Sequence, residues 1–139
     1  MDSIYRETIL DHTKNPRNFG SLDPADFTAE DTNPLCGDQI RMDLRVEGGV
    51  VADVKFSGRG CAVSMASASI LTELVMGQPL ADVRALTRDD LLEEIGIPVS
   101  PARLKCALLG LNVLNLSLAI GDAHPDHETA SAAPVVATR

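Results

Sequence analysis

The sequence predicts an α+β domain in which helices pack on one face of a small three-stranded antiparallel sheet. Two apolar runs of period two carry that expectation. Ile40, Met42, Leu44 and Val46 alternate with Gln39, Arg41, Asp43 and Arg45, and Val50, Ala52, Val54 and Phe56 alternate with Val51, Asp53, Lys55 and Ser57. Flanking segments carry helix stop signals at Asn15-Pro16, Gly77 and Gly96. A chain of 139 residues that is 45% hydrophobic supplies one ordinary core and asks for no second.

Residues 3 to 14 read as a helix with Ser3 offered as N-cap, ended because Pro16 disfavours helical geometry at Asn15. A loop runs through Asn18-Phe19-Gly20 to Pro24, and residues 26 to 32 are the candidate first edge strand. In the hairpin, directly opposed residues share a face, so their numbers sum to an even value. That condition excludes a two-residue Gly48-Gly49 turn and favours a three-residue loop, Glu47 to Gly49, with 46 opposite 50 and 40 opposite 56. Extended, this register sets Cys36 opposite Gly60, next to Cys61, with Asp38 on the same face as Cys36.

The run Cys61 to Met76, rich in Ala and Ser, reads as a helix ending at Gly77. Cys61 falls in its first turn, where the positive end of the helix favours a thiolate. The small residues Ala62, Ser64, Ala66, Ser67, Ala68 and Ser69 let this helix lie close to the sheet. Thr87 to Ile95 is a short helix capped by Thr87 and closed by Gly96. Ser100-Pro101 then open the last helix, with Leu104, Leu108, Leu111, Val113, Leu114 and Leu118 on its apolar face and Cys106 in its second turn. Residues 1–120 form the domain, and 121–139, without periodicity, read as a disordered tail.

Composition narrows the function. Aromatic residues are 3% of the chain, and 12 basic against 20 acidic residues give a net charge of -8, which opposes a phosphate-coated partner. No nucleic acid is expected. The apolar stretch Ala107 to Ile120 is broken by Asn112, Asn115 and Ser117 and is too short to cross a bilayer, so no membrane is expected either. Asp2, Arg6, Glu7, Asp11 and Lys14 leave no apolar signal segment, which points to the cytoplasm. In that reducing compartment an odd set of three cysteines means free thiols or metal ligands. Cys36, Cys61 and Cys106 lie 25 and 45 residues apart, so only the fold can gather them. Three thiolates with the Asp38 carboxylate suit Zn2+ in tetrahedral coordination, or iron in a cluster.

Specific motifs go further. Tyr5, Asp11-His12 and Lys14-Asn15-Pro16-Arg17-Asn18 are followed by Asn33-Pro34-Leu35-Cys36-Gly37-Asp38, by Phe56 to Gly60 with Cys61 and Ser64 to Thr72, and by Ala102 to Ala107 around Cys106. In this order, over residues 3 to 120, they resemble the iron-sulfur scaffold family of IscU, SufU and the N-terminal domain of NifU. The resemblance implies a three-stranded sheet with flanking helices and a site of Cys36, Asp38, Cys61 and Cys106. It implies a cysteine desulfurase as sulfur donor, downstream iron-sulfur acceptor proteins, and Zn2+, Fe or a [2Fe-2S] cluster as cargo or cofactor. IscU-like members usually carry His before the third Cys and a Leu-Pro-Pro-Val-Lys segment for a dedicated chaperone; here Lys105 and Ile97-Pro98-Val99-Ser100-Pro101 stand in those places. Lys105 resembles the SufU branch, although the insertion usual there before the third Cys is absent.

By similarity to SufU the persulfide acceptor is Cys36, and by similarity to IscU it is Cys106; both remain candidates. Three functions follow: a scaffold for a [2Fe-2S] cluster, a zinc-dependent sulfurtransferase that activates its desulfurase, or a structural zinc module. The remaining features have plainer readings. Asp38 also suits an Asx turn after Gly37, Lys105 either a solvated surface or a positive charge offered to the thiolates, and His12 the outside of a helix. His124 and His127 lie in the tail. Gly58-Arg59-Gly60 lacks the residues of a phosphate loop and instead turns strand into helix, leaving Cys61 accessible.

Overall fold

The alternating runs build the sheet as expected from their period. In the computed structural model, which describes residues 3–33, 37–96 and 99–122, three antiparallel strands lie in the order β1 (Phe27–Asn33), β2 (Asp38–Glu47) and β3 (Val50–Arg59). The edge strand pairs with β2 from Phe27 opposite Leu44 to Asn33 opposite Asp38.

The hairpin register differs from expectation. Glu47 pairs with Val50 across a two-residue Gly48-Gly49 turn with φ of 59° and 79°, the doubly left-handed turn whose twist matches the strands. Parity is restored inside the ladder. Arg45 pairs with Asp53 and Val46 with Val51, so Ala52 is the extra residue of a β-bulge. Beyond it, Leu44 faces Val54, Met42 faces Phe56 and Ile40 faces Gly58. The even-number rule therefore holds through the strand bodies, but the ladder is shifted by two residues. Val51, not Val50 or Ala52, enters the core.

Five helices complete the described chain: α1 (Ser3–Lys14), α2 (Ala62–Val75), α3 (Leu80–Arg84), α4 (Arg88–Ile95) and α5 (Pro101–Asp122). Cys61 is the N-cap of α2, one position before the first turn. Thr87 caps α4 in a reciprocal box with Asp90, and Gly96 closes it. On the helix-covered face Ile40, Met42, Leu44, Val54 and Phe56 pack with Leu71 and Val75 of α2 and Leu111 and Leu114 of α5. The α5 helix crosses β1 and β2, α2 lies against β3 and α5, and α1 rests on α2. Gly110 of α5 stands against Ala68 of α2, so the small residues admit a neighbouring helix as well as the sheet.

Two polar residues sit deeper than their sequence setting indicated. Asp43, on the opposite face, is buried and accepts from Leu22 N at 3.0 Å, Arg41 Nε at 3.1 Å and the Thr28 hydroxyl, fastening the loop before β1. His12 is not on the outside of α1 but is 5% exposed, with Nδ1 2.6 Å from Ser69 Oγ of α2. Among the described residues no helix is long and apolar enough to cross a membrane. Helix α5 runs to Asp122, two residues into the segment 121–139 expected as a tail; residues 123–139, with His124 and His127, lie outside the described residues.

Candidate metal centre

The end of the sheet where β2 begins is also where α2 starts and where the second turn of α5 passes. Asp38 is the first residue of β2 and shares the core face with Ile40 and Met42, so strand alternation turns its carboxylate inward. The shifted ladder ends with Gln39 opposite Arg59, which leaves Gly60 beside Asp38. Cys61 follows at once, and its backbone N–H donates to Asp38 Oδ1 at 3.0 Å. Cys106 comes from α5 and is buried, whereas Cys61 is partly exposed. One ligand atom from each of Asp38, Cys61 and Cys106 lies within 4.8 Å of the others.

Of the four residues expected at the site, these three are brought together. Cys36, expected opposite Gly60, lies outside the described residues; it is Asp38 that meets Gly60. Lys105, next to Cys106 in sequence, is exposed and forms no ion pair among the described residues.

The surroundings set the state of the donors. Burial pushes the Cys61 thiol up and the Asp38 carboxylate adds to that. The Ser64 N–H and hydroxyl and the Cys106 thiol outweigh both, so the net direction is down, toward thiolate. Ser64 occupies the third position of the helix, is 1% exposed, and donates its hydroxyl proton to Cys61 O at 3.0 Å. Sequence reasoning treated Ser64 and Gly60 as packing and turning residues. The available signal was the spacing: a serine hydroxyl in a helix reaches the carbonyl three residues earlier.

The donor set fits a soft divalent cation. Asp38 is 1% exposed, and its Oδ2 has no hydrogen-bond partner among the described residues. A buried carboxylate oxygen in that condition costs free energy that a bound cation offsets. Two sulfurs on one tetrahedral zinc stand about 3.8 Å apart, so a spread of at most 4.8 Å needs only a small contraction. The three described donors account for three of the four positions of a tetrahedral ion.

Comparison with known proteins agrees with this geometry. The description "NifU-like N terminal domain" matches residues 4–124. The zinc-dependent sulfurtransferase SufU of Bacillus subtilis (strain 168) is 36% identical over 136 residues, covering 86% of this chain and 92% of that protein. The iron-sulfur cluster assembly scaffold protein IscU of Aquifex aeolicus (strain VF5) is 39% identical over 120 residues, covering 85% of this chain and 76% of that protein. Among solved structures, the N-terminal NifU-like protein of Brucella abortus superposes with a TM-score of 0.70 at 26% identity, covering 88% of this chain and 96% of that one. FiSufU of Fervidobacterium Islandicum AW-1 gives a TM-score of 0.70 at 26% identity over 84% of this chain and 97% of that chain. The motifs, the three-stranded sheet and these relatives agree: the chain belongs to the NifU-like N-terminal domain family, together with the SufU and IscU proteins.

Proposed function

We propose that this protein is an iron-sulfur cluster assembly scaffold of the cytoplasm that accepts sulfur from a cysteine desulfurase. It holds a metal ion or nascent [2Fe-2S] cluster on Cys36, Asp38, Cys61 and Cys106 and passes it to acceptor proteins. The observation that carries this reading is the convergence of Asp38, Cys61 and Cys106 within 4.8 Å at one end of the sheet, with a buried carboxylate oxygen left without a partner among the described residues. Sulfur arrives by exchange. A thiolate of this chain attacks the outer sulfur of the desulfurase persulfide, the S–S bond there breaks, the desulfurase thiolate leaves, and a new persulfide forms here with no net oxidation. Cys36 and Cys106 are the two candidate acceptors. Asp38, a hard oxygen among soft sulfurs, holds soft cargo less durably than a fourth Cys would, as a site that hands its cargo on requires.

A second reading, a zinc-dependent sulfurtransferase, is favoured by the likeness to the Bacillus subtilis protein, which runs over 92% of that protein's length. Bound Zn2+ would stabilise the thiolates of Cys61 and Cys106 and orient them.

Anaerobic incubation with a cysteine desulfurase, cysteine and ferrous iron, followed by visible absorption and zinc content, separates the readings. A scaffold develops cluster absorption that is lost when Cys36, Cys61 or Cys106 is replaced by Ser. A sulfurtransferase instead stimulates the desulfurase only when zinc-loaded and forms no cluster. Tight zinc with no sulfur accepted by any cysteine would overturn both in favour of a structural zinc module.

A further inference from the structure

Gly60 joins β3 to α2, and its φ lies outside the left-handed region, so backbone conformation does not call for glycine there. Space does. A β-carbon added at Gly60 would stand 2.6 Å from Asp38 Oδ1 and 3.0 Å from Asp38 Cγ, and closer still to Ser64 Oγ. Gly58 is a different case: its φ is +136° and an added β-carbon would meet the backbone of Gln39, which is a constraint of the strand pairing. An added β-carbon at Gly60 meets side chains of the candidate centre. The two obstacles are not equivalent. Ser64 can turn its hydroxyl away about a single bond. Asp38 is buried, paired with Asn33 across the sheet, and its Oδ1 is tied to the Cys61 N–H.

We propose that Gly60 is a positioning residue of the metal centre. Its missing side chain leaves the slot in which the Asp38 carboxylate lies, with Oδ1 fixed on the Cys61 N–H and Oδ2 kept as the open donor. The inference rests on the reading that this centre takes a metal ion. It assigns to a residue with no donor atom of its own the placement of the only oxygen ligand in the set. An alanine at this position displaces the carboxylate, and the two described thiols lose their third partner.

The test titrates Zn2+ into the full-length chain against a chromogenic chelator and records the visible spectrum with Co2+, for the wild type, G60A, D38A and the double variant. Apo-protein circular dichroism and thermal melting run in parallel. G60A is expected to bind Zn2+ about 10–100-fold more weakly, in the range for residues that orient a metal ligand, and to alter the Co2+ spectrum as D38A does. Acting through the same carboxylate, the two changes must not add: the double variant is expected to bind no more weakly than D38A alone. Should apo G60A fail to fold, D38A is expected to restore folding in the double variant, because the colliding carboxylate is gone. Wild-type-like binding by G60A, additive losses, or a G60A folding defect that D38A does not relieve would each overturn the inference while leaving the metal reading standing. A wild-type chain that takes up neither ion overturns the metal reading and the inference with it.

Discussion

His12 lies where α1 meets α2. Its Nδ1 is 2.6 Å from Ser69 Oγ, which also accepts from Arg17 N at 2.8 Å, and its Nε2 is 3.4 Å from Glu73 Oε1. The neutral tautomer with its proton on Nε2 satisfies both contacts, Nδ1 accepting the Ser69 hydroxyl proton and Nε2–H facing Glu73. Burial, and then the Arg17 charge, hold the His12 pKa below its usual 6.5, against Glu73 and Asp11. The sign follows. As pH falls through 6.5 the unfolded chain takes up a proton that the folded one refuses, so stability is lost on acidification until the lowered folded value is reached. The melting midpoint is expected to drop between pH 7.5 and 5.5, and His12→Asn to flatten that drop. Parallel slopes for the two proteins would show that His12 does not titrate in this way. The burial of His12 was not legible from α1 alone, because what covers it is the Ser69 to Glu73 stretch of another helix. The convergence of Asp38, Cys61 and Cys106 was legible in part, because strand alternation sets the inward face of Asp38 and the cap signals set the starts of α2 and α5.

At the scale of elements, the contact between α2 and α5 has a definite tolerance. A β-carbon on Gly110 would stand 3.4 Å from both Cα and Cβ of Ala68 and 3.6 Å from Met42 Cε, which is ordinary contact. Gly110→Ala should therefore keep the packing and gain up to about 1 kcal/mol of helix propensity. Gly110→Leu should overpack the seam and cost about 1–3 kcal/mol. Urea midpoints ranked alanine, wild type, leucine would bear this out, and a leucine variant as stable as the wild type would contradict it. Helix α3 escaped sequence reading because five residues with only Val83 buried carry no measurable period. The hairpin turn is hidden from the sequence for another reason: opposed residues sum to an even number only along an uninterrupted ladder. The odd step was placed in the loop, whereas the bulge at Ala52 takes it up and leaves the tight Gly48-Gly49 turn possible.

For the whole molecule, the described donors belong to the start of a strand, the cap of one helix and the second turn of another. A cation bound there fastens these three elements together and has no comparable site in the unfolded chain, so it stabilises by mass action, by about 4 kcal/mol when its free concentration is a thousand times Kd. Stripping the ion with a chelator is expected to lower the melting midpoint, and re-addition of Zn2+ to restore it. Cys106→Ser should blunt that response. An identical midpoint with and without metal would mean that the ion is held elsewhere or not at all.

The spare residue of the hairpin has reach well beyond its own neighbourhood. Ala52 lies about 27 Å of extended chain from Gly60, yet it decides which part of β3 arrives at the far end of β2. A ladder without that single step would present a different neighbour to Asp38 and turn the strand's inner surface outward. The bulge thus works as a distant spacer: a small irregularity at the closed end of the ribbon keeps the chemistry at its open end in alignment.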